Sequence, residues 1–358
     1  MNDSGKFEKV FPDGTALTRF QLALADWFDA EGEDYPWRQT RDPYAILVSE
    51  LMLQQTQIAT VLGRGYYTRW MKQFPDWETL AGANEEEILK AWEGLGYYNR
   101  ARNLQKAAIQ VRDKHAGECP RDTKSLEALP GVGRYTAGAV ASFAHGLRAP
   151  IVDGNVARVL SRIFDFREPV DATAGQKALW GWAEQMTPEA RVRSYNSAIM
   201  ELGQRICTKG APACEKCPVS EWCRGRHEGE LEGLPMKKAK TTITRRDETV
   251  GLIVEEGRIF LERETGSRRK GLWHLPRLSE GDCDDFEELY RFDYAITRYR
   301  VTLRVFRVPG PVSKQMTGSR EGEWFDLSSD RAWPALGSPY RKAILKYQNI
   351  HEDLIMRE

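Results

Sequence analysis

Four of the six cysteines, Cys207, Cys214, Cys217 and Cys223, fall in one short segment with the spacing C-x6-C-x2-C-x5-C. Pro212 and Pro218 impose turns that let four thiolates converge on one centre, so the segment reads as a metal loop for zinc or an iron–sulfur group before disulfides. Cys119 and Cys283 stand apart and read as small buried hydrophobes. Glu50 lies in Leu47-Val-Ser-Glu-Leu-Met-Leu-Gln-Gln-Thr, an acid in an apolar helical stretch. Loss of water there raises a carboxyl pKa toward neutrality, which suits a proton donor; an ion-pair partner is the other reading. Asp153, in Ile151-Val-Asp-Gly-Asn-Val, is on residue type alone an Asp-Gly turn. In Leu129-Pro-Gly-Val-Gly-Arg-Tyr-Thr-Ala-Gly, the segment Gly131-Val132-Gly133 separates one helix from the next. Glycines there allow backbone amides to approach a phosphate closely.

The elements that must position these groups follow from pattern and punctuation. A chain of 358 residues predicts two domains at the usual domain size. From about Thr18 to Trp222 apolar residues recur at helical spacing, as in Ile88, Leu89, Trp92 and Leu95. Asp42-Pro43 and Asn84-Glu-Glu-Glu are helix starts. Residues 227–246 are rich in Glu, Lys, Arg and Gly and predict an exposed linker. Beyond it the period changes to two, in Thr249–Val254, Gly257–Glu262 and Tyr299–Val308. The expected fold is therefore multidomain: an N-terminal extension over 1–17, an all-α domain over 18–226, and an α+β domain over 247–358. Lys plus Arg and Asp plus Glu both number 52, so any attraction to a polyanion must be local. No apolar run approaches the roughly 18–20 residues of a membrane span, and the first ten residues lack an apolar leader; a cytoplasmic protein with no membrane partner is expected.

Taken together, the cysteine spacing, the L-P-G-V-G-x-x-T-A hairpin, S-E-L-M-L-Q-Q-T and V-D-G-N-V occur in an order that resembles the endonuclease III/MutY superfamily of helix-hairpin-helix glycosylases, and within it the MutY branch of adenine DNA glycosylases. The resemblance covers roughly residues 18–225. It implies a [4Fe–4S] cluster on Cys207, Cys214, Cys217 and Cys223. Lys209, Lys216, Arg224 and Arg226 beside it would face phosphates. Gly131, Val132 and Gly133 would grip the DNA backbone without reading bases. Glu50 would be the general acid at adenine N7 and later activate water, while Asp153 would stabilise the cationic sugar. Tyr135 would contact that aspartate, standing where the lyase branch carries a nucleophilic lysine, and Asn155 would orient water or carboxylate.

A base must leave the stack before it is cut. The resemblance assigns Trp37 and Arg38 to the entrance of the adenine pocket and Glu201 to the flipped base. Leu53, Gln54, Gln55 and Thr56 would contact the surrounding DNA, with Gln55 and Tyr97 wedging beside the partner base. The implied partner is duplex DNA with adenine opposite 8-oxoguanine or guanine, met by a monomer near the nucleoid. Residues after 247 resemble a Nudix-related module whose metal-binding box is absent, so nucleotide hydrolysis is not expected. Where that module carries Phe-Ser-His, this chain reads Ile296-Thr297-Arg298, leaving Thr297 and Arg298 as the contacts to 8-oxoguanine. A pyrimidine-directed glycosylase and a noncatalytic DNA-binding protein are the competing readings.

Overall fold

A computed structural model of the chain describes residues 3–229, 231–239, 242–266, 270–283, 285–296, 298–328 and 333–355. They form two compact units that do not follow chain order: residues 1–82 with 103–240, and 83–102 with 241–358.

The first unit is helical, and its helices begin where short polar side chains satisfy the first amides. Asp13 accepts from Ala16 N (2.8 Å) at the start of the helix Gly14–Glu31, and Asp42 accepts from Tyr44 N (3.0 Å) at the start of Pro43–Leu53. Phe20, Leu24, Leu160, Phe164, Trp182 and Leu202 meet in one core, with Phe164 and Trp182 stacked at 4.2 Å. The first residues belong to that core rather than to an extension. The helix Asp3–Val10 brings Phe7 to within 5.9 Å of Phe164, and Phe11 packs edge-on against Phe20 at 5.2 Å. Burying such a ring contributes about 2 kcal/mol. The expected boundary at residue 18 falls inside the helix Gly14–Glu31. The expected linker is also partly docked: Leu234 is buried, Val170 N donates to Met236 O (2.9 Å), and Lys238 N donates to Asp171 Oδ1 (2.8 Å).

Among the described residues the second unit holds seven strands: β1 Thr244–Leu252, β2 Val254–Glu255, β3 Arg258–Arg263, β4 Trp273–His274, β5 Glu287–Ile296, β6 Tyr299–Arg307 and β7 Gly322–Asp326. In one sheet β6 is central, parallel to β1 and antiparallel to β5; in the other, β3 pairs antiparallel with β2, β4 and β7. The helix Ser338–Ile355 lays Tyr340, Ala343 and Ile344 on Leu303 and Val305. The helix Glu85–Ala91, capped by Asn84 as its sequence predicts, belongs to this unit. Glu93 accepts from Leu336 N (3.0 Å) and pairs with Arg341, and Tyr98 OH donates to Leu336 O (3.1 Å). The helical reading of 18–226 as one contiguous block did not anticipate this grouping, which rests on partners some 240 residues away in sequence.

Candidate active site

Glu50 sits in the last turn of Pro43–Leu53, 7% exposed. Every residue of that helix from Tyr44 to Met52 is buried, so the carboxyl has little water, and burial pushes its pKa up to about 7. Asp153 lies in the loop that enters the helix Gly154–Ile163 and caps it, accepting from Val156 N at 2.7 Å. Its carboxyl is also raised by burial, against the pull of the Val156 amide and of Asn155. Asn155 Nδ2 donates to Asp153 Oδ2 (2.9 Å), and Arg158 Nη2 donates to Asn155 Oδ1 (2.9 Å), so the carboxylate is held from two sides. Tyr135 opens the helix Arg134–Phe143 and its hydroxyl donates to Met200 Sδ (3.7 Å); burial, Glu50 and Asp153 together hold that hydroxyl well above the ordinary range. Gly138 lets the helix approach the loop leading to Asp153: a Cβ there would lie 2.4 Å from Pro150 O.

Glu50, Tyr135, Asp153 and Asn155 line one cleft of about 670 Å³, together with Leu53, Gln54, Gln55 and Thr56. A second, smaller cavity of about 40 Å³ opens on the other side of Glu50, with Tyr35, Trp37, Arg38, Arg193 and Ser197 in its wall. That is room for a few waters, so a purine must move side chains to enter. Arg38 spans the aromatic rings of Phe28 and Tyr35, 4.9 and 4.7 Å from their centroids. Glu201 was expected at the flipped base, but the structure does not bring it to either cavity. It is 0% exposed, and its oxygens are taken by Arg38, by Arg205 (2.6 Å) and by Glu33 N (2.9 Å). It therefore steadies the pocket wall through Arg38. The sequence reading missed Arg193, Ser197, Met200 and Gln204, which fall at steps of four, three and four along the same wall. That spacing was the available signal.

The hairpin forms as expected. Gly131 has φ +79°, a left-handed conformation that favours glycine, and a Cβ on it would lie 2.6 Å from that of Asn103. Val132 is buried and Gly133 caps the helix Arg134–Phe143 without a side chain, leaving first-turn amides unclaimed by a capping group. The two wedge candidates share a conformation unusual for their types: φ is +59° at Gln55 and +47° at Tyr97. Such strain persists where the surrounding structure over-determines it; Ala116, Asp165, Arg191 and Glu256 share the conformation. Gln55 is exposed on the cleft, and Tyr97, in the second unit, is 49% exposed. Arg298 is exposed beside the β5–β6 connection and donates to Tyr299 OH (3.1 Å); Thr297 lies outside the described residues.

Cys207, Cys214, Cys217 and Cys223 line one small cavity, with Arg162 and Arg226 in its wall. Arg162 Nη1 donates to Cys207 Sγ (3.2 Å), and Arg226 donates to Cys214 O (3.4 Å). Four soft donors with two guanidiniums to offset thiolate charge suit a metal–sulfur group. Among the described residues no three His, Cys, Asp or Glu side chains close around a single ion. No described helix is long and apolar enough to cross a membrane.

Residues 48–185 match the family model of the HhH-GPD superfamily base excision DNA repair proteins. The adenine DNA glycosylase of Homo sapiens is 45% identical over 234 residues, 63% of this chain and 42% of that protein. The chain thus spans less than half the length of that relative. The adenine DNA glycosylase of Buchnera aphidicola subsp. Baizongia pistaciae is 36% identical over 261 residues, 72% of each chain. Among solved structures, a thermostable thymine-DNA glycosylase aligns with TM-score 0.54 and 32% identity, over 60% of this chain and all of that one. Identity sustained across most of the Buchnera protein, on a helix-hairpin-helix fold with its acidic cleft, places this chain in the adenine DNA glycosylase family of the HhH-GPD superfamily.

Proposed function

We propose that the chain excises adenine from duplex DNA where it faces 8-oxoguanine or guanine, acting as a monomer in base excision repair. One observation carries the reading: a glutamate with a pKa near 7, Glu50, shares a cleft with a second carboxyl, Asp153, and with the tyrosine between them. An acid that keeps its proton near neutrality suits protonation of a departing purine, and a nearby carboxylate suits the cationic sugar it leaves.

In this reading the hairpin amides hold the backbone, Gln55 and Tyr97 fill the space left by the extruded base, and the base enters beside Trp37 and Arg38. Glu50 donates its proton to N7, and the C1′–N9 bond breaks. Asp153, oriented by Asn155 and Tyr135, faces the positive charge on the sugar. The Glu50 carboxylate then takes a proton from the water that attacks C1′. The hairpin places Tyr135 rather than a lysine beside the cleft, so no Schiff base forms and the backbone is left uncut. Cys207, Cys214, Cys217 and Cys223 would hold a [4Fe–4S] cluster, which fixes the loop's fold and supplies no step of base removal. The second unit is read as a Nudix-related module facing 8-oxoguanine through Thr297 and Arg298.

The test is single-turnover excision from duplexes with adenine opposite 8-oxoguanine, guanine, cytosine or thymine, and with thymine opposite guanine. Fast loss of adenine opposite the first two, without strand cleavage or borohydride-trapped adduct, is expected. Release of thymine but not adenine would overturn the assignment in favour of the pyrimidine-directed reading that the solved neighbour suggests.

A further inference from the structure

The wall that Glu50 shares between the two cavities carries a polar group that base removal as described leaves unused. Gln204 lines both the larger cleft and the smaller cavity. It stands on a π-helical turn, Leu202–Ile206, that continues the helix Val192–Glu201; such turns recur at functional sites. Its backbone is fixed on both sides. Arg158 Nη2 donates to Gly203 O (2.5 Å), Cys207 N donates to Leu202 O (2.6 Å), and Gly203 meets Asn155 so closely that a Cβ would lie 2.7 Å from the Asn155 Cβ.

The Gln204 side chain, by contrast, is half-buried and its carboxamide has no hydrogen-bond partner among the described residues. Three polar neighbours, Arg193, Ser49 and Arg38, are occupied. Arg193 donates to Phe143 O (2.9 Å), Thr40 O (2.8 Å) and Arg38 O; Ser49 donates to Ile46 O (2.7 Å); Arg38 pairs with Glu201. A half-buried amide with no protein partner bonds water until a ligand that excludes the water takes its place, and that ligand must then complete it. A carboxamide offers one acceptor and one donor side by side. Adenine presents the matching pair, an exocyclic N6–H beside a ring nitrogen.

We propose that Gln204 is a specificity-determining residue that reads the 6-amino group of the extruded base, its Oε1 accepting from N6–H and its Nε2 donating to the neighbouring ring nitrogen that Glu50 does not protonate. The inference rests on the adenine-excision reading above. It assigns Gln204 no part in breaking the glycosidic bond, so its loss changes which base is taken rather than whether bond cleavage occurs.

The experiment compares single-turnover rates for adenine and for purine, which lacks the 6-amino group, opposite the same partner base. Wild type is set against Gln204→Leu, with Gln204→Met as an unbranched second variant in case the first folds poorly. The adenine-to-purine rate ratio is expected to fall about fivefold in both variants, the size of one hydrogen bond, because adenine loses two bonds and purine, which keeps the ring nitrogen, loses one. A ratio equal to that of wild type overturns the proposal. An equal drop for both bases also overturns it, because Gln204 would then only shape the wall. Failure of wild type to release adenine at all would sink the functional reading and this inference with it, a result distinct from the other two.

Discussion

The first unit holds two buried glutamates, Glu50 on the cleft and Glu201 behind the wall of the smaller cavity, and their surroundings give them opposite characters. Glu50, 7% exposed, shares its cleft with Tyr135 and has no cation within ion-pair distance among the described residues; its pKa rises to about 7. Glu201, 0% exposed, is clamped between Arg38 and Arg205 and accepts from Glu33 N. Burial alone therefore does not make an acid catalyst. Burial without a compensating charge does, because the neutral carboxyl is then the cheaper form. With guanidiniums on both sides the same group becomes a brace for the wall.

The comparison is broken most directly by exchanging each carboxyl for its amide. Glu50→Gln should lower adenine excision about a thousandfold, within the range of lost general-acid catalysis, while binding to an adenine-containing duplex survives, as read by single-turnover rates and by titration of labelled duplex. Glu201→Gln should instead destabilise the first unit by about 3 kcal/mol, since it strands Arg38 and Arg205 without their counter-charge; urea melts give the number. If Glu201→Gln left stability unchanged and Glu50→Gln were the one to unfold, the two roles would be reversed.

A smaller effect sharpens the same contrast. Glu50 is raised from about 4.5 to about 7, so the folded state favours its protonated form. That contribution is complete below the unfolded value and is lost as pH climbs from about 4.5 to about 7. Above this window the fold carries a buried charge. Glu50→Gln should therefore be more stable than wild type at pH 8, by about 2 kcal/mol, and no more stable at pH 4. Asp153 is raised in the same sense, and the variant isolates the Glu50 part of the slope.

Much of the site was legible because its chemistry is written locally. The helix around Glu50 starts at an Asp-Pro pair and is apolar throughout, so its burial could be read from ten residues. Asp153 serves as both helix cap and candidate catalyst, and Gly131 of the hairpin sits where φ favours glycine. What was not legible depended on partners far away in sequence. The fate of Glu201 is decided by Arg38, 163 residues earlier. The helix Glu85–Ala91 and Glu93 just beyond it join the second unit, Lys90 through Trp333 and Glu93 through Leu336 and Arg341. β5 carries charges alternating with Tyr and Phe, which hid it until β6 was seen to pair with it. Gln204 looks like an ordinary surface residue until the turn that follows Glu201 sets it between two cavities.

The central claim is that Glu50 holds a proton near neutral pH and gives it to the departing base. The most direct measurement is the pH dependence of single-turnover adenine excision at saturating enzyme. The rate should be level on the acid side and fall tenfold per pH unit above about 7, with the residual activity of Glu50→Gln independent of pH over the same range. A wild-type rate that stayed level from pH 6 to pH 9, or a Glu50→Gln variant that kept the descending limb, would contradict it.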